Sequence, residues 1–438
     1  VPKVELVEFL PFAILILAGL ILLALDALLD FVKGMTAEKR DKILNLFTLA
    51  AFLVAGGVFF TDVLGQATAG EPFLEGAFRA DLFSNLGGII IMLTAIAFVM
   101  MSPRLIKDRK LPAGELYTLL TFSVAGMTML TVANELLTAF ICIEILSLAL
   151  YVMAGIDRRS KRSGEAAFKY FILGAFASAF LVFGIAFLFG STGTTQLFGS
   201  PELTERIEAS VDEQGAYTLP SDVNPYDFGL NQILMTGQRN IYVAQTEAVT
   251  VEGQTLIEKE PAVVSAPVNP VYVFLGFGLL FVGLCFKLSL APFHMWAPDV
   301  YEGAPTITAM FIATASKVAA FAFLYHVVEA MAVWPYFGDA AGFLIQLVAF
   351  VSIMWGNIAA VIQSNMKRML AYSSVAHGGY LAIGIATLLM PEVVGDAARF
   401  DRIGMSIIFY LFAYTIMNIL AFGIAYHLRS EEHTSELQ

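Results

Sequence analysis

The sequence predicts an all-α polytopic membrane protein with about eleven transmembrane helices, and three observations carry that expectation. Hydrophobic residues make up 58% of the 438 residues, charged residues only 14%, and the mean hydropathy is +0.76. A soluble domain averages roughly 25% charged residues, so this chain cannot solvate an ordinary globular surface. Apolar runs of spanning length recur along the chain, each long enough for a helix that needs about 20 such residues to cross the hydrocarbon. Basic residues gather in alternate connections between those runs.

Six runs come first: Phe9–Leu29, Ile43–Val63, Leu82–Met101, Leu116–Ala133, Leu136–Gly155 and Ala166–Gly190. Five follow a polar stretch: Val271–Pro292, Thr306–Val328, Phe343–Ile362, Leu370–Met390 and Met405–His427. The chain therefore divides into helices 1–6 over residues 1–192, a polar acidic insert over 193–270 and helices 7–11 over 271–428. Residues 429–438 stand apart and are taken up below.

The connections fix an orientation, because Lys and Arg concentrate on the cytoplasmic side. Lys33, Lys39, Arg40 and Lys42 follow the first span, and Arg104, Lys107, Arg109 and Lys110 follow the third. Arg158, Arg159, Lys161 and Arg162 follow the fifth, and Lys367 and Arg368 the ninth. All fall on one side if the chain alternates with its N-terminus outside; a missed helix would scramble the agreement. The N-terminus and the 193–270 insert are then periplasmic, and the protein sits in the cell inner membrane. Within the insert, Ile241–Ile257 alternates around Glu252-Gly253-Gln254, as a hairpin does.

Several function classes are disfavoured. The net charge of −12 resides largely in the insert, and no basic patch with interleaved aromatics suggests nucleic acid. Cys142 and Cys285 are isolated in apolar runs, so neither an iron–sulfur nor a zinc site is expected in this chain. No glycine-rich nucleotide fingerprint occurs. The first apolar run lacks a small-residue cleavage site and reads as a retained span, and the chain, opening on Val1, reads as clipped at that end.

Charges inside the spans demand an explanation, since an ion at the bilayer centre costs about 2.5–3.5 kcal/mol on insertion scales. Glu144 lies mid-span in LLTAFICIEILSLALYVMAG, and Lys317 near the middle of TITAMFIATASKVAAFAFLYHVV. Lys287 and Lys169 lie closer to inner helix ends, where snorkelling competes with function. Burial penalises the charged form of either residue type, which suits groups that gain and lose protons. The competing reading is a set of structural ion pairs holding helices together. Ser289, Ser316, Thr314, Ser373 and Ser374 are candidate lining, although small hydroxyl residues also serve close helix packing.

The run GLCFKLSLAPFHMWAPDVYEGAPT adds a helix break. Pro292 removes a backbone donor and clashes with the preceding turn. Irregular backbone at membrane depth persists only where protein or a water cavity covers it. Lys287 and His294 flank this break, an arrangement that recurs at ion-transport sites. His326 and His377 lie on apolar helices, where packing and proton relay are equally open readings.

That same run resembles the membrane-arm subunit N family of proton-pumping NADH:quinone oxidoreductase, respiratory complex I. EILSLALYVMAG, EAAFKYFILGAFASAFLVFGIAFLFGSTG and SNMKRMLAYSSVAHGGYLAIGI resemble it in the same order, so the likeness covers nearly the whole chain except the insert. The resemblance implies an antiporter-like fold of about fourteen helices in two inverted repeats, with a broken seventh helix. It implies that Glu144 and Lys287 form a switching pair, that Lys317 relays the proton, and that Lys169 belongs to the path. His294, Pro292, His377 and Ser316 would support them. It further implies no cofactor in this chain, with NADH, FMN, iron–sulfur clusters and quinone handled by other subunits. The implied partners are those membrane-arm subunits and lipid, with quinone met only indirectly.

The chain stops near the eleventh helix, so the resemblance lacks a second broken helix and its lysine. The final RSEEHTSELQ is the direct translation of a common sequencing-adapter read, and native sequence is expected to end around Leu428. Two other functions remain on the page: a subunit of a multi-subunit Na⁺/H⁺ antiporter, and a non-pumping structural membrane subunit.

Overall fold

The computed structural model of the chain describes residues 8–32, 34–65, 72–210, 227–251, 254–334 and 336–435, and the side chains of these except 239–266 and 429–435. Each apolar run is helical. α1 (Leu10–Leu29), α2 (Ala37–Leu64), α3 (Leu82–Arg109), α4 (Ala113–Thr131), α5 (Leu136–Ala154) and α6 (Lys161–Thr192) form the first half. Between α2 and α3 lies a small hairpin, β1 (Pro72–Phe73) with β2 (Phe78–Arg79). The insert carries α7 (Pro201–Glu208), α8 (Leu230–Thr236) and two long antiparallel strands, β3 (Gln238–Val251) and β4 (Gln254–Pro267). The second half contains α9 (Pro270–Leu288), α10 (Trp296–Gly303), α11 (Thr306–Ala313), α12 (Ala315–Ala332), α13 (Phe337–Val361), α14 (Met366–Thr387) and α15 (Ala397–Ser435).

Among the described residues, nine helical segments are long and apolar enough to cross a membrane. The two expected spans that fall short on hydropathy, α4 and α14, are nonetheless helices of 19 and 22 residues. Their polarity has a physical cause. α4 buries 15 of its 19 residues, and Thr121, Thr128 and Thr131 return their hydroxyls to carbonyls of their own helix. A helix sheathed by other helices need not be apolar all round. α14 carries Ser374 and His377 toward the interior groups described below.

One expected span gains a detail. Thr306–Val328 lies within a single span, Thr306–Ala332, whose helix is interrupted at Thr314 (φ −110°, ψ −77°), dividing α11 from α12. The freed Ala313 carbonyl accepts from the Tyr414 hydroxyl at 3.1 Å. The hairpin in the insert is present, and its second strand runs on to Pro267 rather than ending at Ile257; Pro261 hid that extension, since proline reads against strand. The hairpin's turn residues, Glu252 and Gly253, lie outside the described residues, as do Lys33 and the side chains of the expected adapter-derived tail, 429–438.

Helix pairs approach closely through glycine. A Cβ on Gly184 of α6 would fall 2.5 Å from the Leu280 nitrogen and 2.7 Å from the Gly276 oxygen of α9. Gly356 of α13 stands equally close to Tyr372 and Ala376 of α14. Small residues that let backbones touch are the usual means of packing helices in lipid.

The two faces of the bundle agree with the alternation read from the basic loops. One cavity of about 940 Å³ gathers Arg104, Arg162, Glu302, Lys367 and Tyr426 from five different helix ends. At the opposite face Arg79 and Asp81 meet His326 and Glu329. The chain is a multi-pass membrane protein.

Candidate functional site

Two interruptions of the helical ladder set the geometry. α9 stops at Leu288, and Ser289 adopts the left-handed region (φ 56°). The chain turns through Leu290 and a cis Ala291–Pro292 peptide before α10 resumes at Trp296. The backbone groups freed here are recovered: the Leu290 N–H donates to the Cys285 carbonyl at 2.8 Å and the Ala291 N–H to Ser352 Oγ at 2.9 Å. Trp296 Nε1–H donates to the Phe286 carbonyl at 2.9 Å. Those recovered bonds are what irregular backbone in hydrocarbon requires.

Lys287, on the last turn of α9, is 7% exposed and does not snorkel. Its amine donates to Ser147 Oγ and, at 3.2 Å, to the Tyr151 hydroxyl, both on α5. Lys317 is 1% exposed and donates to the Ser374 carbonyl of α14. Tyr414 of α15 lies beneath it, the amine 5.8 Å from the ring centroid, and the Tyr414 hydroxyl sits 2.9 Å from Ser374 Oγ. Tyr301 of α10 reaches the same Ser374 Oγ at 3.4 Å. Among the described residues no carboxylate lies within 4.0 Å of either amine. An unpaired ion in such a place costs several kcal/mol, so these lysines are poor structural ion pairs.

Gly378 joins the two lysine regions. A Cβ there would lie 3.0 Å from Leu290, 3.4 Å from the Leu288 carbonyl and 3.4 Å from the Lys317 amine. The Lys317 head group therefore reaches the break that carries Lys287. Among the described residues, Ser289 Oγ and His294 Nδ1 are buried at the break without a protein hydrogen-bond partner. Buried polar atoms left by the protein in this way are commonly satisfied by water. Tyr301 immediately precedes Glu302, which lines the cavity. Polar contacts thus link Tyr301, Ser374 and Lys317, and Lys287, Tyr151 and Ser147, the two sets meeting at the helix break.

Glu144 lies one helical turn before Ser147 on α5. It is half-buried, and Ser178 Oγ of α6 donates to its carboxylate. The structure does not bring Glu144 into direct ion-pair contact with Lys287, whose amine bonds instead to Ser147 and Tyr151 on the same helix as Glu144. Lys169 takes a different place. At 40% side-chain exposure it pairs with Asp299 and Glu165, each at 2.7 Å, and Asp299 pairs in turn with Arg368 at 2.7 Å. His377 Nδ1 lies 2.6 Å from the Tyr410 hydroxyl. Ser316 Oγ bonds back to the Ile312 carbonyl of the preceding turn, and Pro292 sits in the break itself.

Tyr151, Tyr301, Tyr414, Ser147, Ser178 and Gly378 were not singled out in the sequence. Tyrosine in an apolar helix looks like packing. A usable signal existed only on α5, where Glu144, Ser147 and Tyr151 stand at i, i+3 and i+7 and so share one face.

Asp299 offers a modest test. Burial pushes its carboxyl up, but Lys169 and Arg368 outweigh that and hold it below the usual carboxylate range. A depressed carboxylate contributes stability above its unfolded value of about 3.9, which is lost as pH falls through the folded value. With 35% of the side chain exposed, Asp299→Asn is expected to cost no more than about 1 kcal/mol at pH 7. The difference in Tm from wild type should shrink as pH falls below about 3.9 and through the folded value.

Comparison with known proteins places these residues in context. The membrane family described as NADH:quinone oxidoreductase/Mrp antiporter matches residues 133–216 and 248–438. NADH-quinone oxidoreductase subunit N 1 of Thermodesulfovibrio yellowstonii is 34% identical over 98% of this chain and 72% of its own length. The protein of the same description from Chloroherpeton thalassium is 32% identical over 92% of this chain and 69% of its own. Among solved structures, a chain of respiratory complex I from Thermus thermophilus superposes with a TM-score of 0.64 at 28% identity, covering 95% of this chain and 70% of that one. A chain of the Mrp complex from a Dietzia species reaches the same TM-score at 17% identity over 94% and 64% of the two chains, a likeness of fold alone.

Proposed function

The chain belongs to the NADH:quinone oxidoreductase/Mrp antiporter membrane family, within its NADH-quinone oxidoreductase subunit N branch, and on that premise we propose that it moves protons through Lys317 and Lys287. It is the membrane partner of other complex I subunits, and it performs translocation rather than redox chemistry. NADH, FMN, iron–sulfur clusters and quinone are handled by those other subunits. The N-terminus and the 193–270 insert face the periplasm, with lipid around the apolar rim.

A single observation carries the reading: two buried amines, with no carboxylate within 4.0 Å of either among the described residues, sit on hydroxyl and carbonyl groups on the two sides of a helix break. Protons enter from the cavity past Tyr301 and Ser374 and load Lys317. Water at the break, held by Ser289 and His294, conducts the charge to Lys287. Protonation of Lys287 is felt by Glu144 through Ser147 and Tyr151, so the pair acts as a switch without direct contact. Lys169 and Asp299 anchor α6 to α10 at the inner end.

The antiporter-subunit alternative shares the fold and the lysines, but the sequence relatives above are all of the oxidoreductase branch. Lys287→Met tests the path. In the assembled complex reconstituted into vesicles, the ratio of protons moved to quinone reduced is expected to fall while the complex stays intact. An unchanged ratio at unchanged assembly would assign Lys287 to structure.

A further inference from the structure

A second cluster of ionisable groups lies at the opposite end of α12, away from the lysines. Asp81, the N-cap of α3, and His326 and Glu329, one turn apart on α12, place three ligand atoms within 4.8 Å of one another. His326 Nδ1 stands 3.3 Å from Glu329 Oε2 and 3.8 Å from Asp81 Oδ2. A tetrahedral zinc ion with bonds of about 2.0–2.2 Å separates its ligands by about 3.3–3.5 Å, so modest side-chain rotation suffices.

The proton bookkeeping of the cluster points the same way. Asp81 Oδ1 accepts from the Ser84 hydroxyl at 2.7 Å and from the Ser84 amide at 2.8 Å. The single Ser84 hydroxyl proton is thereby committed, because a carboxylate can only accept. In the 3.1 Å contact between Ser84 Oγ and His326 Nε2, the imidazole must therefore be the donor. With that Nε2–H directed at Ser84, Nδ1 is the ring nitrogen that faces the two carboxylate oxygens. One imidazole nitrogen and two carboxylate oxygens thus converge on one point.

We propose that Asp81, His326 and Glu329 form a site for a divalent transition metal of the zinc class, with the fourth position open to the outer face. The donor set, one imidazole and two carboxylates, suits that ion class. Ser84 is the outer-shell group that fixes the tautomer, a role ligating histidines regularly require. His326 is 4% exposed, while the Asp81 and Glu329 side chains keep 19% and 24% exposure, so the ring is held rigidly and the carboxylates face the approach. Arg79 pairs with the other Glu329 oxygen, Oε1, at 3.5 Å and lies 4.1 Å above the Phe198 ring. It therefore steadies Glu329 while leaving Oε2 for the ion. Bound metal would tie α3 to α12 at their outer ends.

The test measures Zn²⁺ retained by the assembled complex after equilibrium dialysis at micromolar free Zn²⁺. Wild type is expected to retain one more ion per complex than His326→Gln. Asp81→Asn keeps a competent N-cap and should also lose the ion. Ser84→Ala leaves every ligand in place and is expected to weaken binding by about 10–100-fold, which a merely misfolded variant would not reproduce at normal assembly. Equal zinc content in wild type and His326→Gln would overturn the assignment, as would unaltered affinity in both Asp81→Asn and Ser84→Ala.

Discussion

Replacing Lys317 by Ala is expected to reduce proton translocation by the assembled complex by at least about tenfold, at the low end of what a positioned acid–base group contributes or below it. The side chain is held at 1% exposure against the Ser374 carbonyl, above Tyr414 and beside the break reached through Gly378. Tyr301 and Ser374, its neighbours on the cavity side, carry no amine and cannot take its place. Among the described residues the amine contacts no carboxylate, so its removal strands no counter-ion, and assembly should survive. Proton uptake by reconstituted vesicles, read against quinone reduction in the same preparation, separates the outcomes. Full pumping at full assembly would mean that Lys317 serves packing, and the structural-subunit reading would replace this one.

Gly184→Val should have the largest effect on the fold itself. A Cβ at this position meets backbone atoms of α9, Leu280 N at 2.5 Å and Gly276 O at 2.7 Å, and backbone cannot rotate out of the way. The helices must separate, and overpacking of this kind costs about 1–3 kcal/mol or more. Because α9 leads directly into the break, the displacement would also move Lys287 from Ser147 and Tyr151. Gly164 on the same helix has no atom within 4 Å of its would-be Cβ. Gly164→Ala should therefore be neutral or stabilising by up to about 1 kcal/mol through helix propensity. Thermal denaturation and the amount of chain found in assembled complex would read both.

Much of this architecture is written in local patterns. Apolar runs and the alternation of basic loops locate the helices, because lipid leaves a chain few alternatives to a helix. The break at Pro292 was legible for the same reason: a proline among apolar residues has one common consequence. The break at Thr314 was not, since IATASK holds neither proline nor glycine and the Ala313 carbonyl it frees is satisfied by Tyr414, about a hundred residues away. Lys287 and Lys317 could be found as charges where charge is costly. Their partners could not, because serine and tyrosine are unremarkable in a membrane helix until the fold sets them beside an amine. Of the Asp81–His326–Glu329 cluster, only the i, i+3 spacing of His326 and Glu329 was visible in the sequence, since Asp81 is drawn from a distant segment. The resemblance to a known family implied a switching Glu144–Lys287 pair, and the structure shows the Lys287 amine on Ser147 and Tyr151 of the helix that carries Glu144.

The bonds from Ser352 and Trp296 to the chain around Pro292 bear on how such a protein could cycle. A bend whose loose amide and carbonyl are both clasped by side chains of the surrounding scaffold is an elbow set in plaster, not a joint. Opening it would forfeit those clasps in a medium that offers no substitutes. Turnover at this place should therefore rest on swings of lysine tails and on rearranged solvent, with the main chain nearly still.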